Sequence, residues 1–376
     1  MTTTQAYSPG LEGVIAGETE LSHVNPDLNS LVYRGYDIRD LANHESFEGV
    51  SYLMLHGKLP NKVQLEEFTR TLVKERDIPT DIIDMYRSLP KNSNPMDLLR
   101  AGTAMLPFYD PEVGDNSHDA NVRKATRLIA KFPALITAGY RISQGKDPVA
   151  HDPDMTHAQN FLYTLHGEHP DEYAANVFSQ TLICYVDHGY NASTFAGRVT
   201  TSTLSDMHSG IVSAIGTLKG PLHGGANEEA MKMMLEIGSV DKAEAWVLDA
   251  LATKKKIMGF GHRAYKTGDP RAILLIENGK EVCSRLGHPE WDEMGRIVID
   301  TMNREKGILP NVDFPTAYIY YVLGLPIEIY TPIFALARVA GWAAHIIEQH
   351  DGNRLIRPKA IYKGAGYQEY TPVDRR

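Results

Sequence analysis

The stretch AYIYYVLGLPIEIYTPIFALARVAGWAAHII, residues 317–347, decides the fold. It is long and apolar enough to be considered for a membrane span, but Pro326, Glu328, Pro332, Arg338 and His345 interrupt it. Two buried helices account for it better, the second running from Pro332 to His350. Outward from there, most segments between Gly and Pro are rich in Ala, Leu, Met and Glu at helical spacing, and alternating strand patterns are scarce. The chain therefore reads as mainly α. Helices are expected at Ser46 to His56, closed by Gly57, and at Val63 to Lys74, Ala120 to Gly145, Pro170 to Tyr190 and Ser205 to Leu218. Leu31 to Ile38 predicts a short hairpin, a small N-terminal β element, and Phe108 to His118 a polar connection.

A chain of 376 residues with 43% hydrophobic content can bury one large core or two smaller ones. Its net charge of -9 argues against a general polyanion-binding surface, so no nucleic-acid partner is expected. The two cysteines, Cys184 and Cys283, lie far apart and outside any CxxC pattern, which suggests neither a disulfide framework nor a zinc site. The N-terminus has no basic start, apolar core or Arg-rich amphipathic stretch, so a cytoplasmic location is expected and no membrane association.

Several residues could carry chemistry. His223, in Gly220 to Ala230, precedes a helix expected to start near Ala226. Partial positive charge at a helix N-terminus disfavours imidazolium, leaving a neutral ring suited to polarising a carbonyl. A turn histidine that merely satisfies a backbone group is the ordinary alternative. Lys254 to Arg271 places a lysine run before Gly259 and Gly261, able to cradle a phosphate or simply to form a solvated face, and His262 closes that loop. Asp269 and Pro270 read as N-cap and first helical residue. This puts Arg271 where a cation opposes the helix dipole, as if an anionic ligand held it there. Arg338 should be buried and in need of an anion, either a ligand or an internal carboxylate. Asp313 reads as a cap before Pro315, His188 as a satisfied histidine at a helix end, and Arg357 as exposed tail charge. Along Ser205 to Leu218, small residues (Ser209, Ser213 and Gly216; Gly210, Ala214 and Thr217) allow close helix approach, within the subunit or between subunits.

The segments Gly220 to Ala230, Met258 to Arg271, Asn311 to Phe314, Arg338 to Gln349 and Asn353 to Pro358, in this order and spacing, resemble citrate synthase and 2-methylcitrate synthase. Gly10 to Thr19, Tyr33 to Ile38, His56 to Pro60 and Asp187 to Arg198 extend the resemblance over nearly the whole chain. It implies a two-domain helical homodimer: residues 1–221 and 319–376 as the large domain, and 222–318 as the small one carrying the coenzyme A site. It implies that Asp313 is the base, that His223 hydrogen-bonds the thioester oxygen, and that His262 protonates the ketone of oxaloacetate. His188, Arg271, Arg338 and Arg357 would hold oxaloacetate, Arg357 from the partner subunit. Lys255, Lys256, Ile257, Met258, Gly259 and Lys266 would contact coenzyme A.

The reaction implied is condensation of acetyl-CoA with oxaloacetate, with no tightly bound cofactor and no metal. Two departures stand out. Gly189 replaces a common Glu, and Phe314-Pro315-Thr316 replaces Tyr-Ser-Gly; the second resembles some 2-methylcitrate synthases, which opens the use of propionyl-CoA. The additional N-terminal domain of NADH-regulated relatives is absent, so no NADH inhibition by that route is expected. Two readings of other classes stand beside this one, a metal-dependent hydrolase built on His188, His223, His262 and Asp313, and a non-catalytic CoA-thioester sensor.

Overall fold

A computed structural model describes residues 7–25, 29–262, 265 and 268–376. Its described residues form a mainly helical protein with a single small sheet. Strands β1 (Ser22–Asn25), β2 (Ser30–Tyr33) and β3 (Tyr36–Asp37) pair antiparallel in that order, with Ser22 opposite Tyr33 and Val32 opposite Asp37. Arg34 and Gly35 both take positive φ (48° and 91°), the conformation that a two-residue hairpin turn demands. The hairpin thus falls where the sequence placed it, and β1 adds a strand that the sequence did not announce.

Sixteen α-helices follow: α1 (Ile38–His44), α2 (Phe47–His56), α3 (Lys62–Lys74), α4 (Thr80–Ser88), α5 (Pro95–Met105), α6 (His118–Ser143), α7 (His157–His166), α8 (Glu172–Tyr185), α9 (Ala192–Thr201), α10 (Met207–Leu218), α11 (Ala226–Ile237), α12 (Ala243–Ala252), α13 (Pro270–Arg285), α14 (Pro289–Lys306), α15 (Asp313–Val322) and α16 (Tyr330–Asp351). Their ends are written locally. Ser46 accepts from Gly49 N–H to start α2, and Gly57 in the left-handed conformation ends it. Asn61 and Gln64 close a reciprocal capping box on α3. The helix expected over Pro170 to Tyr190 is shorter, because α8 stops at Tyr185.

The apolar stretch 317–347 falls in α15 and α16, separated by Gly324 and Pro326, and no helix among the described residues is long and apolar enough to cross a membrane. Helix α16 is the axis of the core, packed against α2, α6, α8, α9 and α10. Ile333, Leu336, Val339, Trp342 and Ile346 along it are all at most 1% exposed, and each such side chain contributes roughly 1.5–3 kcal/mol through burial. A Cβ on Gly341 would sit 2.1 Å from the Val186 carbonyl, so α16 approaches residues 186–188 as closely as backbone allows. A Cβ on Gly210 would lie 2.6 Å from Thr201 and 2.8 Å from Ile346, which makes that side of α10 an internal packing face. Gly216, by contrast, faces open space.

Candidate functional site

The C-terminus of α8 is where the site begins. The last carbonyls of a helix lack partners and carry partial negative charge, and three distant side chains converge on them. Tyr33 of β2 places its hydroxyl against the carbonyls of Ile183, Cys184 and Asp187 (3.1–3.4 Å). Arg271 Nη1 donates to the Cys184 carbonyl at 3.4 Å, and Arg338 Nε donates to that of Tyr185. The chain then runs on through Asp187 and His188 to the left-handed Gly189.

Asp187 is fully buried. Burial alone would raise its pKa, but His345, at 3.2 Å, with Arg338 and Ser22, holds it down at about 2. That carboxylate fixes the backbone from which His188 projects. The His188 ring lies 5.0 Å from that of His262 and 5.9 Å from that of Tyr265, and its buried Nε2 has no hydrogen-bond partner among the described residues. This is not the satisfied helix-end histidine expected from sequence. Burial, then Arg271 and His262, push its pKa well below the usual range, so the ring is neutral.

His262 sits on a loop pinned to the segment that leads into α15. Phe260 bridges Pro310, Gly261 N–H donates to the Leu309 carbonyl (2.9 Å), and Asn311 N–H donates to that of Gly259 (2.9 Å). Gly259 has φ 79°, and a Cβ there would fall 2.7 Å from Cβ of Phe314, so only glycine fits. The Tyr265 amide donates to His262 Nδ1 at 3.3 Å, which leaves the proton of the neutral ring on Nε2. Burial, then Arg271, lower the pKa of His262.

Asp313 is not the cap that its sequence position suggested. The residue before the helix is Val312, which supplies no side-chain cap; the Asn311 side chain accepts the Asp313 amide at 3.1 Å, while the Asp313 carboxylate accepts from the Tyr185 hydroxyl at 2.7 Å. The helix begins at Asp313 itself rather than at Pro315. Burial raises the pKa of this carboxyl, opposed by Tyr185, Arg271 and Arg338.

His223 occupies the turn before α11, whose first helical residue is Ala226 as expected. A Cβ on Gly224 would lie 2.4 Å from the Leu218 carbonyl, which explains one of the paired glycines. The Ser193 amide donates to His223 Nε2 at 3.3 Å, with Ser193 Oγ at 2.8 Å, and Trp342 Nε1 donates to that hydroxyl at 3.1 Å. With Nε2 accepting, the proton resides on Nδ1. Burial, then Arg338, push its pKa down to about 4, so the neutral ring expected from the helix end arises chiefly from desolvation. Phe334 joins the parts: its ring is 4.6 Å from Tyr185, 6.2 Å from His223 and 4.7 Å from the Arg338 guanidinium.

The arginines differ. Arg271 does have a local partner, contrary to the sequence expectation: Asp269 accepts from its Nε (3.0 Å) and Nη2 (2.7 Å) while also capping α13. Arg338, 2% exposed, forms no direct ion pair among the described residues; the internal carboxylate that interacts with its charge is Asp187, which is itself bonded to His345. Its charge is available to an anion. Arg357 is exposed on the extended segment after α16 and has no hydrogen bond or ion pair to this cluster.

Of the coenzyme A candidates, Lys255 pairs with Glu236 and lies 4.9 Å over Trp246, Lys256 is exposed, Ile257 and Gly259 are buried, and Met258 packs on the core. Lys266 lies outside the described residues. Among the described residues, His188, His223, His262 and Asp313 form no cluster able to hold a metal ion. Tyr185, Ser193 and Tyr265 contact the site without having been singled out from sequence; their only signal was proximity in the chain to His188 and His262.

A family model described as citrate synthase, C-terminal domain, matches residues 10–359. The chain is 48% identical to citrate synthase 2 of Bacillus subtilis, over 98% of each chain. It is 42% identical to 2-methylcitrate synthase 2 of Corynebacterium glutamicum, over 100% of this chain and 99% of that one. Its structure superposes on citrate synthase of Thermoplasma acidophilum, solved as a ternary complex with carboxymethyl coenzyme A and oxaloacetate, with a TM-score of 0.91 and 34% identity, covering 99% of this chain and 100% of the other.

Proposed function

The chain belongs to the citrate synthase family, and we propose from this that it condenses acetyl-CoA with oxaloacetate and hydrolyses the resulting citryl-CoA to citrate and coenzyme A. The observation that carries the reading is the meeting of a neutral histidine and a buried guanidinium around Phe334, with the Asp313 carboxylate held by Tyr185, whose ring packs on the same phenylalanine.

An α-hydrogen of a thioester is a weak acid, so its removal needs a base and a donor for the charge that develops on oxygen. Asp313 removes the proton while His223 Nδ1–H donates to the thioester oxygen. The enol carbon then attacks the ketone carbon of oxaloacetate, whose oxygen takes the Nε2 proton of His262. Water cleaves the thioester, and the leaving sulfur departs as the coenzyme A thiol.

Arg338 binds one carboxylate of oxaloacetate, with Arg271 and His188 beside it. Because Asp269 already balances the charge of Arg271, a dianion needs a further cation, which supports delivery of Arg357 from the second subunit of a homodimer. Residues 222–318 form the small domain, and the segment from Lys255 to Gly259, with Lys266, meets coenzyme A.

The identity to a 2-methylcitrate synthase supports propionyl-CoA as a second substrate. One methylene is worth about 1–3 kcal/mol of discrimination. Thiol release from acetyl-CoA and propionyl-CoA, with and without oxaloacetate, tests the proposal. We expect oxaloacetate-dependent release with higher kcat/KM for acetyl-CoA. A propionyl-CoA preference would reassign the substrate, and no oxaloacetate-dependent release would defeat the reading.

A further inference from the structure

We propose that Tyr185 is a positioning residue for this condensation: its phenol engages one oxygen of Asp313 and so aims the other at the α-hydrogen of the thioester. The inference rests on the assignment of Asp313 as base.

Tyr185 is the last residue of α8 and is 0% exposed. Its hydroxyl donates to Asp313 Oδ1 at 2.7 Å across 128 residues of sequence, whereas Oδ2 has no hydrogen bond among the described residues. A carboxylate that accepts from one side only has one oxygen committed and one available. The phenol itself is secure. Its ring is 4.6 Å from Phe334, and its own carbonyl is held by Arg338 Nε. Burial, then the Asp313 charge, raise the Tyr185 pKa well above the ordinary range, so the hydroxyl keeps its proton as a fixed donor.

One residue thereby links two substrates. The carbonyl of Tyr185 orients the guanidinium that would receive oxaloacetate, and its hydroxyl orients the base that would attack acetyl-CoA. On reaction, Asp313 takes the α-proton on Oδ2 while Oδ1 keeps the phenol, and the electron pair of the broken C–H bond moves into the enol. The other charged groups facing Asp313 are Arg271 and Asp269 from the start of α13 and Arg338 from α16. None of these changes when the phenol is altered.

The test is the pH profile of kcat for wild type, Tyr185→Phe, and a protein with 3-fluorotyrosine at position 185. Y185F leaves the backbone carbonyl, and hence the Arg338 contact, in place. Loss of the donor should move the acid limb up by at least about half a pH unit. It should also lower plateau kcat about tenfold, with KM for both substrates within about threefold. The fluorinated phenol, a more acidic donor of nearly the same shape, should move the limb down, and it serves even where Y185F folds poorly. An acid limb that stays in place in both variants overturns the proposal. Absence of oxaloacetate-dependent thiol release from wild type would instead overturn the underlying reading.

Discussion

Asp269 grips Arg271 with both oxygens, Oδ1 on Nε at 3.0 Å and Oδ2 on Nη2 at 2.7 Å, with the two side chains 0% and 5% exposed. The same carboxylate caps α13 and accepts the Val312 amide at 3.1 Å, one residue before Asp313. A buried pair broken from one side leaves the other charge uncompensated, at a cost of about 3–5 kcal/mol. Asp269→Asn should therefore destabilise the fold by that order in urea denaturation, with loss of activity. A variant within 1 kcal/mol of wild type would show that the pair is solvated.

His223→Leu removes the donor proposed for the thioester oxygen and spares the contacts of Arg338. Loss of one such donor typically costs about 10²–10³ in kcat. Steady-state kinetics should show that loss with KM for oxaloacetate nearly unchanged. A change confined to the oxaloacetate KM would place His223 among the binding groups.

Arg357 can be tested by complementation. R357Q and H223L are each expected to be nearly inactive; refolding them together should restore activity, since a mixed dimer contains one site with His223 and a partner's Arg357. If Arg357 serves its own subunit, no mixture regains activity.

His157 should contribute to acid instability. It is 1% exposed, neither ring nitrogen has a partner among the described residues, and burial, then Arg76, push its pKa down to about 3. A histidine with a lowered folded pKa binds its proton more readily when unfolded, so stability is intact above about 6.5 and falls as pH drops below it. The cost is about 1.4 kcal/mol per pH unit, or roughly 2 kcal/mol at pH 5. Urea midpoints at pH 7 and pH 5 should diverge less for His157→Phe than for wild type; equal divergence would move the effect to other histidines.

The elements that read well from sequence are those whose causes are local. Ser46 and Gly57 bound α2, and Asp269 and Pro270 start α13, through contacts within one turn of helix. Strand β1 was hidden because Ser-His-Val-Asn carries no alternation and gains its order from the edge of β2. The end of α8 was misplaced for the same kind of reason: Tyr33, Arg271 and Arg338, which receive its carbonyls, come from three other parts of the chain. Asp313 resembled a cap since a carboxylate near Pro315 ordinarily is one; the side chain that instead receives a backbone amide there, Asn311, stands only two residues earlier. Tyr185 and Ser193 act through contacts that span 128 and 30 residues, and such contacts leave no period in a sequence.

The loop that ties Gly259 and Gly261 to residues 309–311 makes His262 and Asp313 parts of one rigid jaw. Behind it, Phe314 and Thr316 are 0% exposed, with Phe314 packed on Phe260 and Tyr318. A lineage that adapted this enzyme to a bulkier thioester could not carve room from that jaw without shifting the proposed acid and the proposed base together. Phe334 offers no easier route, because its ring lies 4.6 Å from Tyr185 and 4.7 Å from the Arg338 guanidinium, so enlarging the site there disturbs the holder of Asp313 and the buried cation at once.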